Sequence, residues 1–107
     1  ELNNKLNEGR ESRTEESYGR FYITPAPAIV CKDGFTVSVQ CQETSYCEPR
    51  LNLPDVKDYT SFELGYPSEL DTLLEEYAED EGTTNTVFPY VPREVVEALI
   101  AKHGGIK

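Results

Sequence analysis

Apolar and polar residues alternate along residues 35–42, where every second side chain from Phe35 to Cys41 is apolar. A period of two is typical of a β-strand that buries one face. Pro89 lies in another strand-like segment, and because proline donates no ladder hydrogen bond, that strand is expected at a sheet edge. The further strands predicted from aromatic and β-branched residues cover residues 21–24, 28–31, 59–64 and 86–91.

Helical periodicity appears twice. Between residues 69 and 81, three leucines and Tyr77 recur at helical spacing and seven of thirteen residues are carboxylates, which predicts an amphipathic helix with one acidic face. A second helix is predicted from Pro92, which suits the first helical turn, to a stop at Gly104. The elements together predict an α+β fold in the order β-β-β-α-β-α, a small antiparallel sheet of three to five strands with two helices packed on one face.

The first 19 residues differ in composition from the rest of the chain. Residues 1–19 are mainly Asn, Glu, Arg, Ser and Gly, which predicts a polar arm, either flexible or forming a short helix. Residues 20–107 are expected to form a single α+β domain. Because an arm of this kind can lie on a neighbouring chain, a homodimer through the N-terminal arm is one expected assembly.

Charge restricts the class of partner. The chain has 20 acidic and 10 basic residues, a formal net charge of −10. Residues 1–20 hold five acidic and four basic residues, whereas residues 21–107 hold fifteen and six, so the body carries the charge. Such a surface repels nucleic acid and anionic lipid. We therefore expect no direct nucleic-acid or membrane binding, and instead a basic protein partner.

The cellular compartment is inferred from segments that the sequence lacks. No apolar run is long enough to span a bilayer, and the first residues lack the basic and apolar order of a secretion signal. The three cysteines are an odd number, which argues against a closed disulfide framework. The sequence therefore predicts a soluble, cytoplasmic protein.

The predicted acidic helix is the leading candidate for a binding surface. No lysine occurs between Glu63 and Glu81 to support it at i+4 spacing. Carboxylates one to two turns apart are about 5–10 Å apart, which is comparable with phosphates along a strand. We expect this face to occupy a basic groove that normally holds nucleic acid. The residues expected to face the partner are Glu63, Asp71, Glu75, Glu76, Glu79 and Asp80.

An alternative site for a small ligand lies near residues 43–58, which contain two prolines and little periodicity and are expected to form a long loop. Tyr46 could stack on a planar ligand and Arg50 could bind a phosphate or carboxylate, with Gln40 on the polar face of the preceding strand. A nucleotide signal is one such ligand. The competing interpretation is that Arg50 only bridges nearby carboxylates.

Four residues could in principle ligate zinc, namely Cys31, Cys41, Cys47 and His103. The cysteines are ten and six residues apart and lack the close pair of a zinc knuckle. Cys31 and Cys41 fall on predicted strands and suit small buried hydrophobes. His103, the only histidine, ends the last helix, where it is expected to interact with the helix dipole rather than to activate Cys47. We therefore predict no metal, no cofactor and no enzymatic activity.

Five short runs suggest an origin for the chain. They are Thr24-Pro25-Ala26-Pro27, Val30-Cys31-Lys32-Asp33-Gly34-Phe35, Ser38-Val39-Gln40, Tyr46-Cys47-Glu48-Pro49-Arg50 and His103-Gly104-Gly105. Over about residues 24–106 the chain resembles small accessory proteins encoded in bacteriophage and prophage genomes. The resemblance assigns no site residue. It implies action on the host, and acidic proteins of this kind include anti-CRISPR proteins and other counter-defence inhibitors, which often block a nucleic-acid groove.

The expected function is therefore that of a small acidic, non-enzymatic inhibitor of a host defence or nucleic-acid-handling protein, acting in the host cytoplasm. Two alternatives remain open at this point. One is a binding protein that sequesters a small nucleotide signal. The other is a structural phage protein whose aromatic surface forms an oligomer.

Overall fold

The computed structural model describes residues 1–10, 12–15, 20–23 and 25–107. Its helices and strands are α1 (Leu2–Gly9), β1 (Ser12–Glu15), β2 (Arg20–Ile23), β3 (Ile29–Val30), β4 (Thr36–Gln40), β5 (Ser61–Gly65), β6 (Val87–Pro92) and α2 (Arg93–Lys102). Strands β1 and β2 form a two-stranded antiparallel pair, and the other four form an antiparallel sheet in the order β3-β4-β5-β6. The predicted α+β class, with a small antiparallel sheet and two helices, is confirmed.

The four-stranded sheet follows from the hydrophobic pattern. Val37 and Val39 of β4 are buried and alternate with partly exposed polar residues, as the period of two predicts. On β5, Phe62 and Leu64 are fully buried, so this strand lies at the centre of the core. β6 is an edge strand, which is where Pro89 was expected. Helix α2 packs against β5 and β6.

Helix α1 belongs to the core although its sequence is mostly polar. Leu2 and Leu6, one helical turn apart, are both buried in the main hydrophobic cluster. Asn7 of α1 joins the helix to the loop before β5: its side chain accepts a 3.0 Å hydrogen bond from the Val56 amide and donates one of 3.2 Å to Asp55. Residues 2–9 are therefore attached to the body of this chain.

The predicted helix over residues 69–81 is wrong. The segment instead contains a turn at residues 72–74 and a single 3-10 turn at Glu75–Tyr77. Leu70 of the supposed apolar stripe is 55% exposed, and only Leu74 is fully buried. The side chain of Asp71 accepts a 2.9 Å hydrogen bond from the Leu73 amide, a local contact that competes with helix formation. Neighbouring carboxylates without lysines at i+4 also disfavour a helix. We call residues 69–81 the acidic loop.

A second long connection, residues 43–60, precedes β5 and is called the inner loop. Cys47, Val56 and Tyr59 of this loop are completely buried. The Tyr59 hydroxyl donates to the Leu51 carbonyl at 2.6 Å and accepts from the Leu53 amide at 2.8 Å. The inner loop is therefore folded around its own buried tyrosine.

Two arginines from outside the inner loop fix its backbone. Arg10 donates to the Cys41 and Leu53 carbonyls at 2.6 and 2.7 Å. Arg93, at the start of α2, donates to the Val56 and Tyr59 carbonyls at 2.7 and 2.8 Å. Because these guanidinium groups bind backbone carbonyls of the inner loop at Leu53, Val56 and Tyr59, the two arginines tie the loop to the helices.

Among the helices of the described residues, none has the length and apolar character needed to cross a bilayer.

Candidate functional site

The acidic loop presents most of the predicted partner-binding carboxylates to solvent. Glu75, Glu76, Glu79 and Asp80 are exposed, and each lies in or beside the 3-10 turn. The backbone amides of Glu79 and Asp80 bond to Val87 and Thr86, which attaches the end of the loop to β6. The loop is thus held by its backbone while these four carboxylates point outward.

Two of the predicted residues lie elsewhere. Asp71 is only 7% exposed and is used inside the molecule, as described below. Glu63 is on β5, paired in register with Gln40, and its carboxylate accepts a 2.7 Å hydrogen bond from the Tyr46 amide. Glu63 therefore lies beside the residues of the alternative ligand site rather than in the acidic loop.

A cleft of about 470 Å³ opens along the acidic loop. Its lining combines charged and apolar side chains: the carboxylates are Asp71, Glu75, Glu76 and Glu81, and the apolar members include Leu70, Ala78 and Phe88. Of the described residues, those that line the cleft include no lysine or arginine. Such a cleft suits a cation that is carried on an apolar stem.

Tyr77 of the acidic loop lies close to negative charges. Partial burial, and then the negative charges of Glu76 and of Glu94 on α2, raise the pKa of the Tyr77 hydroxyl. Among the described residues, Asp71 is the only member of the acidic loop in an ion pair. The exposed carboxylates of the loop therefore have no ion-pair partner within the part of the chain that the structure describes.

A buried histidine lies behind the acidic loop. His103 is 6% exposed; its Nδ1 lies 2.6 Å from Asp33 Oδ2 and its Nε2 lies 2.9 Å from Asp71 Oδ2. The ring stacks on Phe35 with centroids 3.9 Å apart and planes 8° apart. Lys102 Nζ donates to Asp71 Oδ1 at 3.1 Å. We call Asp33, Asp71, Lys102 and His103 the His103 cluster.

The pKa shifts in the His103 cluster agree with a charged ring between two carboxylates. Burial opposes the charge on His103, but hydrogen bonds to and charges on Asp71 and Asp33 outweigh it and raise the pKa. The Phe35 amide and then His103 lower the pKa of Asp33. For Asp71, burial is outweighed by hydrogen bonds from the Leu73 amide, His103 and Lys102, so its pKa is also lowered.

The His103 cluster connects three parts of the fold. Asp33 comes from the turn between β3 and β4, Asp71 from the acidic loop, and His103 from the end of α2. Gly104 and Gly105, both at positive φ, end the helix as predicted and let the chain turn back toward β3. Sequence reasoning assigned His103 only to the helix terminus and did not place it between two carboxylates.

The alternative ligand residues are engaged in contacts within the chain. The Gln40 side chain accepts from the Ala26 amide and donates to the Ala26 carbonyl and to Ser38, each within 2.9 Å. Arg50 donates to the Ser45 carbonyl at 3.1 Å and lies 5.0 Å from the centroid of the Tyr46 ring. None of the predicted ligand residues Gln40, Tyr46 and Arg50 lines the cleft of the acidic loop.

The three cysteines are free thiols buried in the core, including Cys47 of the inner loop. Burial raises the pKa of the Cys41 thiol to about 12, and burial also raises those of Cys31 and Cys47, so none is poised as a thiolate at neutral pH. Within the described part of the chain, no three His, Cys, Asp or Glu side chains form a group able to hold a metal ion.

Comparison with known proteins adds no relative: no protein-family model, curated protein or solved structure shows significant similarity to this chain.

Proposed function

We propose that the protein is a small non-enzymatic inhibitor that places its acidic loop in the basic, nucleic-acid-binding groove of a partner protein. The cleft of the acidic loop is the observation that carries this proposal. It combines four carboxylates with apolar side chains over a volume of about 470 Å³. A basic groove supplies the complementary charge.

The composition of the cleft favours lysine or arginine side chains as the groups that enter it. The methylene stem of such a side chain packs against apolar residues such as Leu70 and Ala78, while its charged end pairs with Glu75 or Glu76. Lys102 and His103 pair with Asp71, whereas among the described residues no ion pair involves Glu75 or Glu76. The loop therefore offers its charge to a partner.

The small-ligand alternative has weaker support. Every polar atom of the Gln40 amide is already used by Ala26 and Ser38, and Arg50 is held between the Ser45 carbonyl and the Tyr46 ring. A ligand that used the Gln40 amide would have to displace its contacts with Ala26 and Ser38. We therefore place the binding function at the acidic loop.

The resemblance to phage accessory proteins suggests a class of partner. We propose that the partner is a bacterial defence protein that holds DNA or RNA, and that the protein acts in the host cytoplasm as a counter-defence, anti-CRISPR-like inhibitor. The net charge of −10 agrees with a protein that competes with nucleic acid for a site and does not bind nucleic acid itself.

A displacement assay tests this function. A tagged chain would capture binding proteins from a bacterial lysate, and each purified captured protein would then be loaded with a fluorescent DNA or RNA fragment. We expect the chain to displace the fragment, and its binding to weaken as salt rises from 0.1 to 1 M, because the Debye length shortens from about 10 to about 3 Å. The readouts are fluorescence anisotropy and the apparent Kd.

Two variants with equal changes in net charge identify the surface. Glu75→Lys with Glu76→Lys should weaken displacement at least about tenfold, which is about 1.4 kcal/mol. The matched control, Glu8→Lys with Asp58→Lys, reverses two exposed carboxylates on α1 and the inner loop and should stay within about twofold of the unmodified chain. Equal losses in both variants, or no loss in either, would contradict the proposed role of the acidic loop.

A further inference from the structure

His103 is bound by a carboxylate at each ring nitrogen. Its Nδ1 and Nε2 lie 2.6 and 2.9 Å from Asp33 and Asp71, and the ring is buried against Phe35. A neutral imidazole has one N–H, whereas an imidazolium has two. Because ionised carboxylates only accept hydrogen bonds, both contacts can be made together only by the protonated ring.

Loss of one proton therefore breaks one of the two contacts. A neutral ring with its proton on Nδ1 keeps Asp33 but turns a lone pair toward Asp71, and the other tautomer does the reverse. Lys102 and the Leu73 amide bind the other oxygen of Asp71 and do not replace the contact at Oδ2. The connection from the β3–β4 turn through the ring to the acidic loop is then interrupted.

We propose that His103 is a pH-sensitive latch that fixes the acidic loop to the end of α2 and so shapes one wall of its cleft. Asp71 both binds the ring and lines the cleft, so the latch acts on the surface that meets the partner. This regulation rests on the proposed function of the acidic loop. The latch itself is a property of the free chain and can be measured without a partner.

The charges around the ring come from every element that packs near it. Asp33 and Asp71 face it directly, and Lys102 pairs with Asp71. Lys32 and Glu1 lie beside the glycines that follow the ring, and Cys31 is a neutral buried thiol at this end of the sheet. Burial lowers the pKa of His103, and the two carboxylates in contact with the ring nitrogens together outweigh it and raise the pKa.

The direction of the pH effect follows from the shifts. The pKa of His103 in the folded chain is raised above its ordinary value of 6.5. Its contribution to the free energy of unfolding is therefore complete below about pH 6.5 and is lost as pH rises through the folded pKa. The pKa values of Asp33 and Asp71 in the folded chain lie below the ordinary 3.8. The contribution of these two carboxylates to the free energy of unfolding is therefore complete above pH 3.8 and is lost as pH falls through the folded pKa values. The latch is strongest between these limits.

NMR of the only histidine tests the proposal. In the uniformly ¹⁵N,¹³C-labelled chain, we expect the His103 ring nitrogens to show imidazolium shifts with a titration midpoint above 6.5. Amide protection factors in residues 69–81, corrected for the intrinsic pH dependence of exchange, should fall with the same midpoint. Asp33→Asn removes one negative charge while keeping a hydrogen-bond acceptor, and should move the midpoint to lower pH.

Variants at His103 and Asp33 complete the test of the latch. His103→Gln should remove the pH dependence of protection in residues 69–81, and if that variant does not fold, Asp33→Asn still tests the midpoint. The latch would be overturned by a His103 titration midpoint at or below 6.5. It would also be overturned if the amide protection of residues 69–81 did not change at the pH of that midpoint. Neither result bears on the proposed binding to a basic groove, which the charge-reversal variants at Glu75 and Glu76 test separately.

Discussion

The inner loop and the acidic loop are both polar, irregular connections at the ends of β5, yet the fold uses them in different ways. The inner loop encloses fully buried Cys47, Val56 and Tyr59, and its carbonyls accept hydrogen bonds from Arg10 and Arg93. The acidic loop buries only Leu74 and Asp71 to a similar degree, and its other carboxylates face solvent.

The position of the cations explains the difference. Arg10 and Arg93 come from parts of the chain far from the inner loop in sequence and satisfy its backbone, so that loop is part of the structure. Within the described residues, Lys102 and His103 are the only basic side chains paired with the acidic loop, and both bind Asp71. The inner loop, whose backbone carbonyls are bound by arginines of the same chain, is structural. We propose the acidic loop for binding because its exposed carboxylates have no ion-pair partner among the described residues.

The largest expected effect is on the inner loop. Arg93→Ala removes the hydrogen bonds to the Val56 and Tyr59 carbonyls and a 2.6 Å bond to Asn3 of α1. We expect it to lower the free energy of unfolding by about 3 kcal/mol, since a lost hydrogen bond to a charged group costs about 1.5–3 kcal/mol. Chemical denaturation followed by circular dichroism measures this change.

Lys57→Ala is the matched control, because it removes an exposed cation from the inner loop itself, which Arg93 contacts from α2. Its effect should stay within about 0.5 kcal/mol. If Arg93→Ala were as mild as Lys57→Ala, the arginine would not be what stabilises the inner loop, and the distinction between the two loops would be lost.

A smaller effect is expected from reversing charge on the acidic loop. The backbone amides of Glu79 and Asp80 bond to Val87 of β6 and to the side chain of the preceding Thr86, so changing both side chains to Lys keeps those contacts. Relief of repulsion among the carboxylates should leave the free energy of unfolding unchanged or raise it by up to about 0.5 kcal/mol. A loss above about 1 kcal/mol in the same denaturation assay would mean that these carboxylates have a structural role.

Local patterns in the sequence predicted the elements with regular periodicity. The alternation before Cys41 matches β4, and Pro92 and Gly104 bracket α2. Helix α1 was harder to predict because its only large apolar residues are Leu2 and Leu6, which bury themselves against distant parts of the chain. Tertiary packing, rather than propensity, decides such a short helix.

The two failures of prediction, the helix over residues 69–81 and the missed His103 cluster, both depend on contacts of Asp71 that hydrophobic periodicity does not indicate. The leucines of the acidic loop have helical spacing, but Asp71 bonds to the Leu73 amide and to α2, and the segment turns instead. The His103 cluster was missed because its carboxylates are 70 and 32 residues away in sequence, with no motif that joins them. The high carboxylate density, which does not depend on the type of backbone, was still a usable signal for the exposed surface.

Hydrogen exchange with and without the captured partner tests the central claim most directly. Peptide-level exchange by mass spectrometry would compare residues 43–60 and 69–81 in the free chain and in the complex. We predict that the acidic loop gains protection on binding while the inner loop, already closed, does not change. Protection gained in the inner loop with none in residues 69–81 would contradict the assignment of binding to the acidic loop.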